Sequence, residues 1–358
     1  MTKRRDLAAI AAAASLVPAA LRSAQAQPLT GTPTPPAFRY TTPMPPGVAS
    51  PPSVETRFGR LNFFDGVPDG PSTDLIYDNL IFQQAVQAYL LGIPAVNQAF
   101  NRQAIRSFGP DNTTIPIWEQ LVDSRTVELT ANDNTPYTWF WIDLRNGPLV
   151  IEVPPRVLGV INDMYYFWVT DLGLTGEDRG RGGKYLVVPP GYAGPVPADH
   201  FVVRPKTFSN LVIWRSFLEN GDPRPGVAAV KERTRVYPLG QAANPPALNF
   251  VDGSTRPFNM VGPADFRFWE LLNTVVQEEP LEATDATSLG YFTAAGIQKG
   301  RPFQPDDRMR RILTEAAATG DATARALFYR MRDPEGIIFP DRRWKFAFVG
   351  GYKFERQP

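Results

Sequence analysis

The stretch N-D-N-T-P-Y-T-W-F-W-I-D-L, residues 132–144, decides the fold because a polar turn runs directly into an aromatic strand. Asparagine, aspartate and threonine side chains hydrogen-bond to nearby backbone groups, so the cluster at residues 132–135 favours a turn. Successive side chains of a strand point to opposite faces, and this alternation sorts the aromatic residues. Thr138, Phe140, Ile142 and Leu144 form one face, and Tyr137, Trp139, Trp141 and Asp143 form the other.

The apolar face of this strand belongs in the core of a β-sandwich. The second face combines rings that carry polar atoms with one carboxylate, which is typical of sites for glycans and aromatic compounds. Two interpretations of this face stay open: it forms a ligand site, or a helix or the second sheet covers it. The amide cluster is likewise either a turn alone or also part of a site.

The composition excludes several kinds of chemistry. With no cysteine in 358 residues, the chain has no disulfide, thiolate nucleophile or cysteine-bound zinc. The single histidine, His200, cannot form a multi-histidine metal site, and its setting indicates a loop that enters a strand. Calcium ligation by Asp163, Asp171, Glu177 and Asp178 lacks EF-hand spacing. We therefore predict no metal and no cofactor, and the net charge of +1 argues against nucleic acid as a partner.

The first 26 residues resemble an export signal. Lys3, Arg4 and Arg5 precede a short alanine-rich run, and a small-x-small cleavage site ends at Ala26. The arginine pair favours a twin-arginine signal, with an ordinary Sec signal as the alternative. No other run is long and apolar enough to span a membrane. We expect a soluble periplasmic or secreted protein.

The rest of the chain suggests a fold that is mainly β with α. A proline-rich tether at residues 27–56 precedes a jelly-roll β-sandwich at residues 57–250, which short helices introduce. The first helix is predicted to begin near Asp74 or Asp78 and to bend or end at Gly92 and Pro94.

A helical subdomain is predicted at residues 251–340. It includes an amphipathic helix after Asp265 that Pro280 stops, and a helical hairpin that Gly320 divides. Residues 341–358 are predicted to be a strand, the start of a missing or vestigial second β domain. Because an unpaired strand exposes backbone groups, we expect it to dock on its own domain, a second copy or a partner subunit.

Candidate site residues come from two segments. The second, D-L-G-L-T-G-E-D-R-G-R-G-G-K-Y-L, is residues 171–186 and fails the phosphate-loop pattern because a strand follows it. Because the chain has no cysteine and one histidine, the candidate acids and bases are carboxylates, tyrosine and lysine. The predicted catalytic residues are Asp143, Lys184 and Tyr137, and the predicted ligand-binding residues are Trp139, Trp141, Asn132, Asp171 and Tyr185.

These stretches together resemble an exported bacterial family, domain of unknown function 1254. The resemblance rests on T-A-N-D-N-T-P-Y, on D-L-R-N-G-P-L-V-I-E-V-P, and on D-x-G-x-T-G-x-D-x-G-x-G-G-K-Y-L-x-x-P-P-G-Y at residues 171–192. It covers roughly residues 77–237 and implies a jelly roll, then helices, then a second jelly roll known as domain of unknown function 1214. The family often has aspartate where this chain has Asn134. No reaction is established for it.

The expected function is inferred from the candidate site residues, because the family has no established reaction. We expect a hydrolase- or lyase-like enzyme that acts on a small polar-aromatic compound or glycan. The alternatives are a non-catalytic ligand-binding module and a structural subunit of a larger assembly.

Overall fold

The computed structural model describes residues 51–128 and 131–346. The predicted signal peptide, most of the tether and the strand beyond Phe346 lie outside the described residues. The chain divides into two compact units, Met1–Pro52 with Phe63–Val67 and Ser53–Asn62 with Pro68–Pro358. In the first unit, the amide of Phe63 donates a hydrogen bond to the carbonyl of Pro52. The second unit contains all of the helices that the structure describes.

The fold is mixed α and β, with 34% helix and 24% strand, so neither class dominates it. The strands are β1 Ser53–Thr56, β2 Gly59–Phe64, β3 Val67–Pro68, β4 Thr114–Ile117, β5 Thr126–Val127, β6 Tyr137–Asp143, β7 Leu149–Val153, β8 Leu158–Asp163, β9 Trp168–Gly173, β10 Gly183–Val187, β11 Phe201–Val203, β12 Ser209–Arg215, β13 Arg235–Pro238, β14 Asn249–Asp252 and β15 Phe258–Asn259. The helices are α1 Gly70–Arg106, α2 Arg224–Arg233, α3 Arg267–Glu278, α4 Ala286–Ala294 and α5 Asp307–Tyr329.

Two sheets share one hydrophobic core. A six-stranded sheet has the order β14-β4-β6-β12-β8-β9, and a four-stranded sheet has the order β11-β10-β7-β13. Side chains from both sheets, among them Phe140, Ile151 and Trp214, form a single buried cluster. Each sheet contains one parallel pair, β4 with β14 and β10 with β11. The jelly-roll connectivity stays a prediction.

Helices cover the other face of the six-stranded sheet. Tyr137, Trp139 and Trp141 belong to a second buried cluster together with residues of α1 and α3. Their exposed fractions are 6%, 2% and 0%. The alternation predicted for β6 is therefore confirmed. Helices cover the aromatic face of β6 over most of the strand's length.

Helix α1 corrects the prediction of short helices, because it runs unbroken for 37 residues. It begins at Gly70, where the carboxylate of Asp69 accepts a 2.8 Å hydrogen bond from the amide of Ser72. Pro94 lies inside the helix and removes one backbone hydrogen bond. Gly92 lies where a Cβ would be 3.1 Å from Leu272 of α3, so close helix packing offsets that loss.

Helix α5 is also continuous, and the predicted break at Gly320 is wrong. A Cβ at Gly320 would lie 2.5 Å from the ring of Tyr89, so this glycine permits close contact with α1 rather than ending a helix. By contrast, α3 follows its prediction, with Trp269, Leu272 and Val275 fully buried. Among the described residues, no helix is long and apolar enough to cross a membrane.

The described part of the C-terminal segment forms a short hairpin. Ile337 and Lys345 form an antiparallel bridge, and the amide of Phe346 donates to the carbonyl of Gly336. Trp344 and Phe346 are exposed. Docking of this segment on a partner or a second copy stays a prediction, as do the domain boundaries.

Candidate functional site

A cavity of about 460 Å³ opens on the face of the six-stranded sheet that points away from the sandwich core. Strands β6, β8, β9 and β12 supply its floor, and the segments before β6 and between β8 and β9 supply its walls. Its polar lining residues are Glu128, Asn132, Tyr137, Asn162, Tyr166, Asp171, Thr175 and Arg215. Volumes of this size are typical of small-ligand sites.

The predicted turn forms one wall of the cavity. The Oδ1 of Asn132 accepts hydrogen bonds from the amide of Asn134 (3.2 Å) and the hydroxyl of Thr135 (3.0 Å), as expected of an Asx turn. The Nδ2 of Asn132 donates to the phenol oxygen of Tyr137 at 2.9 Å. The amide cluster is thus both a turn and a support for a cavity residue.

Glu128 is a titratable cavity residue that the sequence pattern does not predict. Its carboxylate accepts a 2.7 Å hydrogen bond from the amide of Ala131. Burial raises the pKa of Glu128 to about 7, and this hydrogen bond only partly opposes the shift. In the sequence Glu128 follows a short apolar strand, and no spacing signal distinguishes it from an ordinary strand residue.

Arg215 brings a positive charge to the same cavity. It lies opposite Tyr137 in the pairing of β12 with β6, and its guanidinium carbon is 5.8 Å from the centre of the Tyr137 ring. In the described part of the chain, none of the hydrogen bonds or ion pairs involves its side chain. Arg215 can therefore contact an anionic or hydroxylated ligand without breaking an existing pair.

Tyr166 occupies a strained turn between β8 and β9. Its φ of +68° lies in the left-handed region, which a bulky residue rarely adopts. The buried carboxylate of Asp163 holds this turn by accepting hydrogen bonds from the amides of Tyr165 and Phe167, both 2.9 Å. Partial burial, and secondarily the charge of Glu128, raises the pKa of Tyr166, although 45% of the residue is exposed to solvent.

Asp171 lines the cavity from β9. Its Oδ1 accepts a 2.9 Å hydrogen bond from the indole N–H of Trp168, whose ring is largely exposed. The structure thus brings together three predicted site residues, Asn132, Tyr137 and Asp171, and adds Glu128, Tyr166 and Arg215.

The predicted catalytic set is not brought together. Asp143 and Tyr137 lie at opposite ends of β6, about 20 Å apart at the rise of a strand. Burial favours a raised pKa for Asp143, but the hydrogen bonds and charge of Arg145 outweigh it and hold that pKa below its ordinary value. The carboxylate of Asp143 is therefore ionised and paired at the far end of the strand.

Lys184 and Tyr185 belong to the other sheet. The ammonium of Lys184 lies 3.4 Å from Asp199, and Tyr185 is fully buried in the sandwich core, where its hydroxyl donates to Asp178 at 2.6 Å. Trp139 and Trp141 are buried beneath the helices. The sequence does not say which sheet a strand joins, which explains the misplacement of Lys184 and Tyr185, or what covers a strand face, which explains that of Trp139 and Trp141.

Comparison with known proteins finds a family model that matches the segment containing the cavity. Residues 112–238 match the family model described as Protein of unknown function (DUF1254). Every residue that lines the cavity falls inside this range. The resemblance drawn from the sequence is confirmed for these residues, and no curated protein sequence matches the chain.

Solved structures give a likeness of fold alone. The VPA0106 protein from Vibrio parahaemolyticus is 16% identical, with a TM-score of 0.51 over 72% of this chain and 62% of that protein. The chain therefore spans about three fifths of that protein's length. An uncharacterised protein from Burkholderia cenocepacia is 12% identical over 50% of this chain and 52% of that one, with a TM-score of 0.26.

The carboxylates and the histidine of the described residues do not gather into a metal site. No group of three or more histidine, aspartate or glutamate side chains within residues 51–128 and 131–346 could hold an ion. His200 lies just before β11, as predicted, with its Nδ1 2.8 Å from Asp199.

Proposed function

We propose that this chain is an exported enzyme, hydrolase- or lyase-like, that transfers protons to or from a small polar-aromatic compound or a glycan in the cavity around Glu128. Export through residues 1–26, a periplasmic or secreted location and a jelly-roll connectivity are part of the proposal and rest on the sequence. One observation carries it, namely a carboxyl group with a pKa of about 7 in a cavity lined by aromatic and hydrogen-bonding side chains.

The pKa supports both directions of proton transfer. Near neutral pH, Glu128 is present in its protonated and ionised forms, so it can serve as a general acid towards a leaving oxygen or as a general base. The phenol of Tyr137 and the amide of Asn132 offer hydrogen bonds to hydroxyl groups of the ligand. Arg215 can bind an oxygen that becomes negative as the bond breaks.

The ring of Tyr166 supports a ligand with a flat or sugar-like face, because it lines the cavity and the residue is 45% exposed. Rings present an apolar surface on which sugars and aromatic compounds stack, whereas Tyr137, only 6% exposed, offers its hydroxyl group. Asp171 adds a carboxylate that can orient hydroxyl groups. This combination of rings and polar atoms favours a glycan or a phenolic compound over a purely apolar ligand.

The test uses a panel of p-nitrophenyl glycosides and glycuronides, which join a sugar to an aromatic ring and release a coloured product. We expect turnover of at least one compound by the full chain, with a pH profile controlled by a group near pH 7. Glu128→Gln should lower kcat about 100-fold or more. Glu282→Gln, which removes an exposed carboxylate outside the cavity, should not change it. Equal turnover by Glu128→Gln and the wild type would contradict the proposal.

A non-catalytic binding module is the second candidate. The guanidinium of Arg215 beside the Tyr137 ring favours it, because this group has no carboxylate partner in the described part of the chain and needs no proton transfer to hold a ligand. Under this alternative a panel compound binds to the wild type and to Glu128→Gln with similar Kd and is not turned over. Quenching of tryptophan fluorescence would measure the binding.

A further inference from the structure

A second cavity, of about 430 Å³, lies on the outer face of the four-stranded sheet and shares no residue with the cavity around Glu128. The glycine-rich segment before β10 forms one wall, β7 forms the floor, and the junction of α2 with β13 forms the opposite wall. Its charged lining residues are Glu152, Arg181, Lys184, Glu232, Arg233 and Arg235. Four cations against two carboxylates give the lining a net charge of +2.

The strand register concentrates this charge. Lys184 of β10 and Arg235 of β13 lie on either side of Glu152 of β7, each directly opposite it in the sheet. Residues paired in this way point to the same face, so both cations flank one carboxylate. That carboxylate already accepts a 2.7 Å hydrogen bond from the hydroxyl of Tyr237.

Two guanidinium groups are held in place by neutral groups. The Nη1 of Arg235 donates to the carbonyls of Glu232 (2.8 Å) and Thr234 (2.7 Å), and the Nε of Arg181 lies 3.4 Å from the carbonyl of Asp178. Within the described chain neither arginine has an ion pair with a carboxylate. Carbonyl contacts fix the position of a guanidinium without cancelling its charge.

Four other surface arginines are arranged differently. Each binds a carboxylate two residues earlier in the chain, which neutralises it locally; these pairs are Asp123–Arg125, Asp143–Arg145, Asp222–Arg224 and Asp265–Arg267. Among the residues that the structure describes, Arg181 and Arg235 differ from these in having no carboxylate within ion-pair distance, although carbonyl contacts hold their positions.

We propose that this cavity binds a small polyanion through two oxyanion groups, phosphate or carboxylate. A guanidinium presents a planar pair of donors that matches the oxygens of either group. Lys184, whose ammonium lies 3.4 Å from the carboxylate of Asp199, adds a third, partly compensated positive charge. The segment R-G-R-G-G-K at residues 179–184 does not form a phosphate loop ahead of a helix. It supplies two of the cations, Arg181 and Lys184, at the start of a strand.

The test is titration calorimetry of the full chain with two probes, inorganic pyrophosphate and citrate. We expect binding by the wild type that weakens as salt rises from about 0.02 M to about 0.2 M, because the attraction is between charges. Arg181→Gln and Arg235→Gln should each raise Kd about tenfold. Lys184→Gln gives a third variant at an exposed position that does not hold backbone carbonyls.

The control is Arg224→Gln, which removes an exposed, already paired guanidinium outside the cavity and should leave Kd unchanged. Circular dichroism verifies that each variant is folded. Binding of pyrophosphate alone would assign the site to phosphate compounds, and binding of both probes to polyanions in general. Absence of heat with both probes, or unchanged Kd in the three variants, would overturn the proposal.

Discussion

The indole N–H of Trp141 in β6 donates a 2.9 Å hydrogen bond to the Oδ1 of Asn101 in α1. Both residues are buried, so this bond lies inside the core that joins the six-stranded sheet to the helices. A buried N–H without a partner costs about 1–3 kcal/mol. The pair therefore explains how Trp141 tolerates complete burial.

Asn101→Ala should lower the free energy of unfolding by about 1–3 kcal/mol, because the indole N–H of Trp141 loses its acceptor. Urea unfolding followed by tryptophan fluorescence measures the change. Asn97→Ala is the matched control on the same helix, since the Asn97 side chain is only partly buried and makes no hydrogen bond within the described residues. Equal losses in the two variants would show that helix α1, not this bond, is affected.

Gly320→Ala should destabilise the protein by about 1–3 kcal/mol even though alanine is the better helix former. The new methyl group would lie 2.5 Å from the Tyr89 ring and would push α5 away from α1. Gly290→Ala in α4 provides the opposite case, because nothing lies within 4 Å of its Cβ position. That variant should be stabilised by up to about 1 kcal/mol. Thermal unfolding of both proteins measures the contrast, and a gain in both would contradict the packing argument.

The raised pKa of Glu128 predicts a specific pH dependence of stability. Between pH 4.5 and about 7 the folded chain holds a proton that the unfolded chain has lost, so the stabilising contribution is complete below pH 4.5 and declines to zero as the pH rises to about 7. Solvent partly screens the group, so the expected loss is of the order of 1 kcal/mol.

Glu128→Gln should abolish that share of the decline. Asp163, whose pKa burial raises to about 6, contributes with the same sign and remains in both proteins. The difference between wild type and variant therefore isolates Glu128. Urea unfolding at about pH 4.5, 6 and 7.5 measures it, and parallel stability curves would mean that Glu128 titrates as it does in the unfolded chain.

Lys299→Met should cost about 1–2 kcal/mol of stability. The ammonium of Lys299 donates to the carbonyls of Val276, Gln277 and Glu279 at 3.3, 2.8 and 2.7 Å, and so caps the C-terminus of α3. Lys231→Met removes a lysine whose partner is a single surface carboxylate, Glu119, and should cost less than about 1 kcal/mol. Thermal unfolding compares the two variants. A larger loss for Lys231→Met would contradict the capping role.

Part of the site could be predicted from the sequence because it depends on local chemistry. The Asx turn of Asn132 arises from amide side chains that bond to their own backbone, and alternation alone places Tyr137 and Asp143 on one face. The distance between them also follows from the strand alone. Two residues at opposite ends of one strand face are too far apart to form one catalytic site. Arg215 escaped prediction because it joins the cavity through the pairing of β12 with β6 and β8, which are distant in sequence. Glu128 escaped prediction because only its burial raises its pKa, and burial is a property of the folded chain.

Helix lengths show the same limit. Glycine and proline predicted ends at Gly92, Pro94 and Gly320, since each weakens an isolated helix. In the folded chain, two of these positions allow the close approach of α1 to α3 and α5, which local propensity does not register.

By itself the sequence determined which residues alternate, which turns form and which chemistry the missing cysteines and the single histidine exclude. Those properties depend on neighbouring residues and on composition. Only the tertiary structure decided that helices bury Trp139 and Trp141, that Asp143 and Lys184 lie far from Tyr137, and that Glu128 titrates near neutral pH. Burial and proximity arise from contacts between segments far apart in the chain, and these contacts fix both the packing and the pKa.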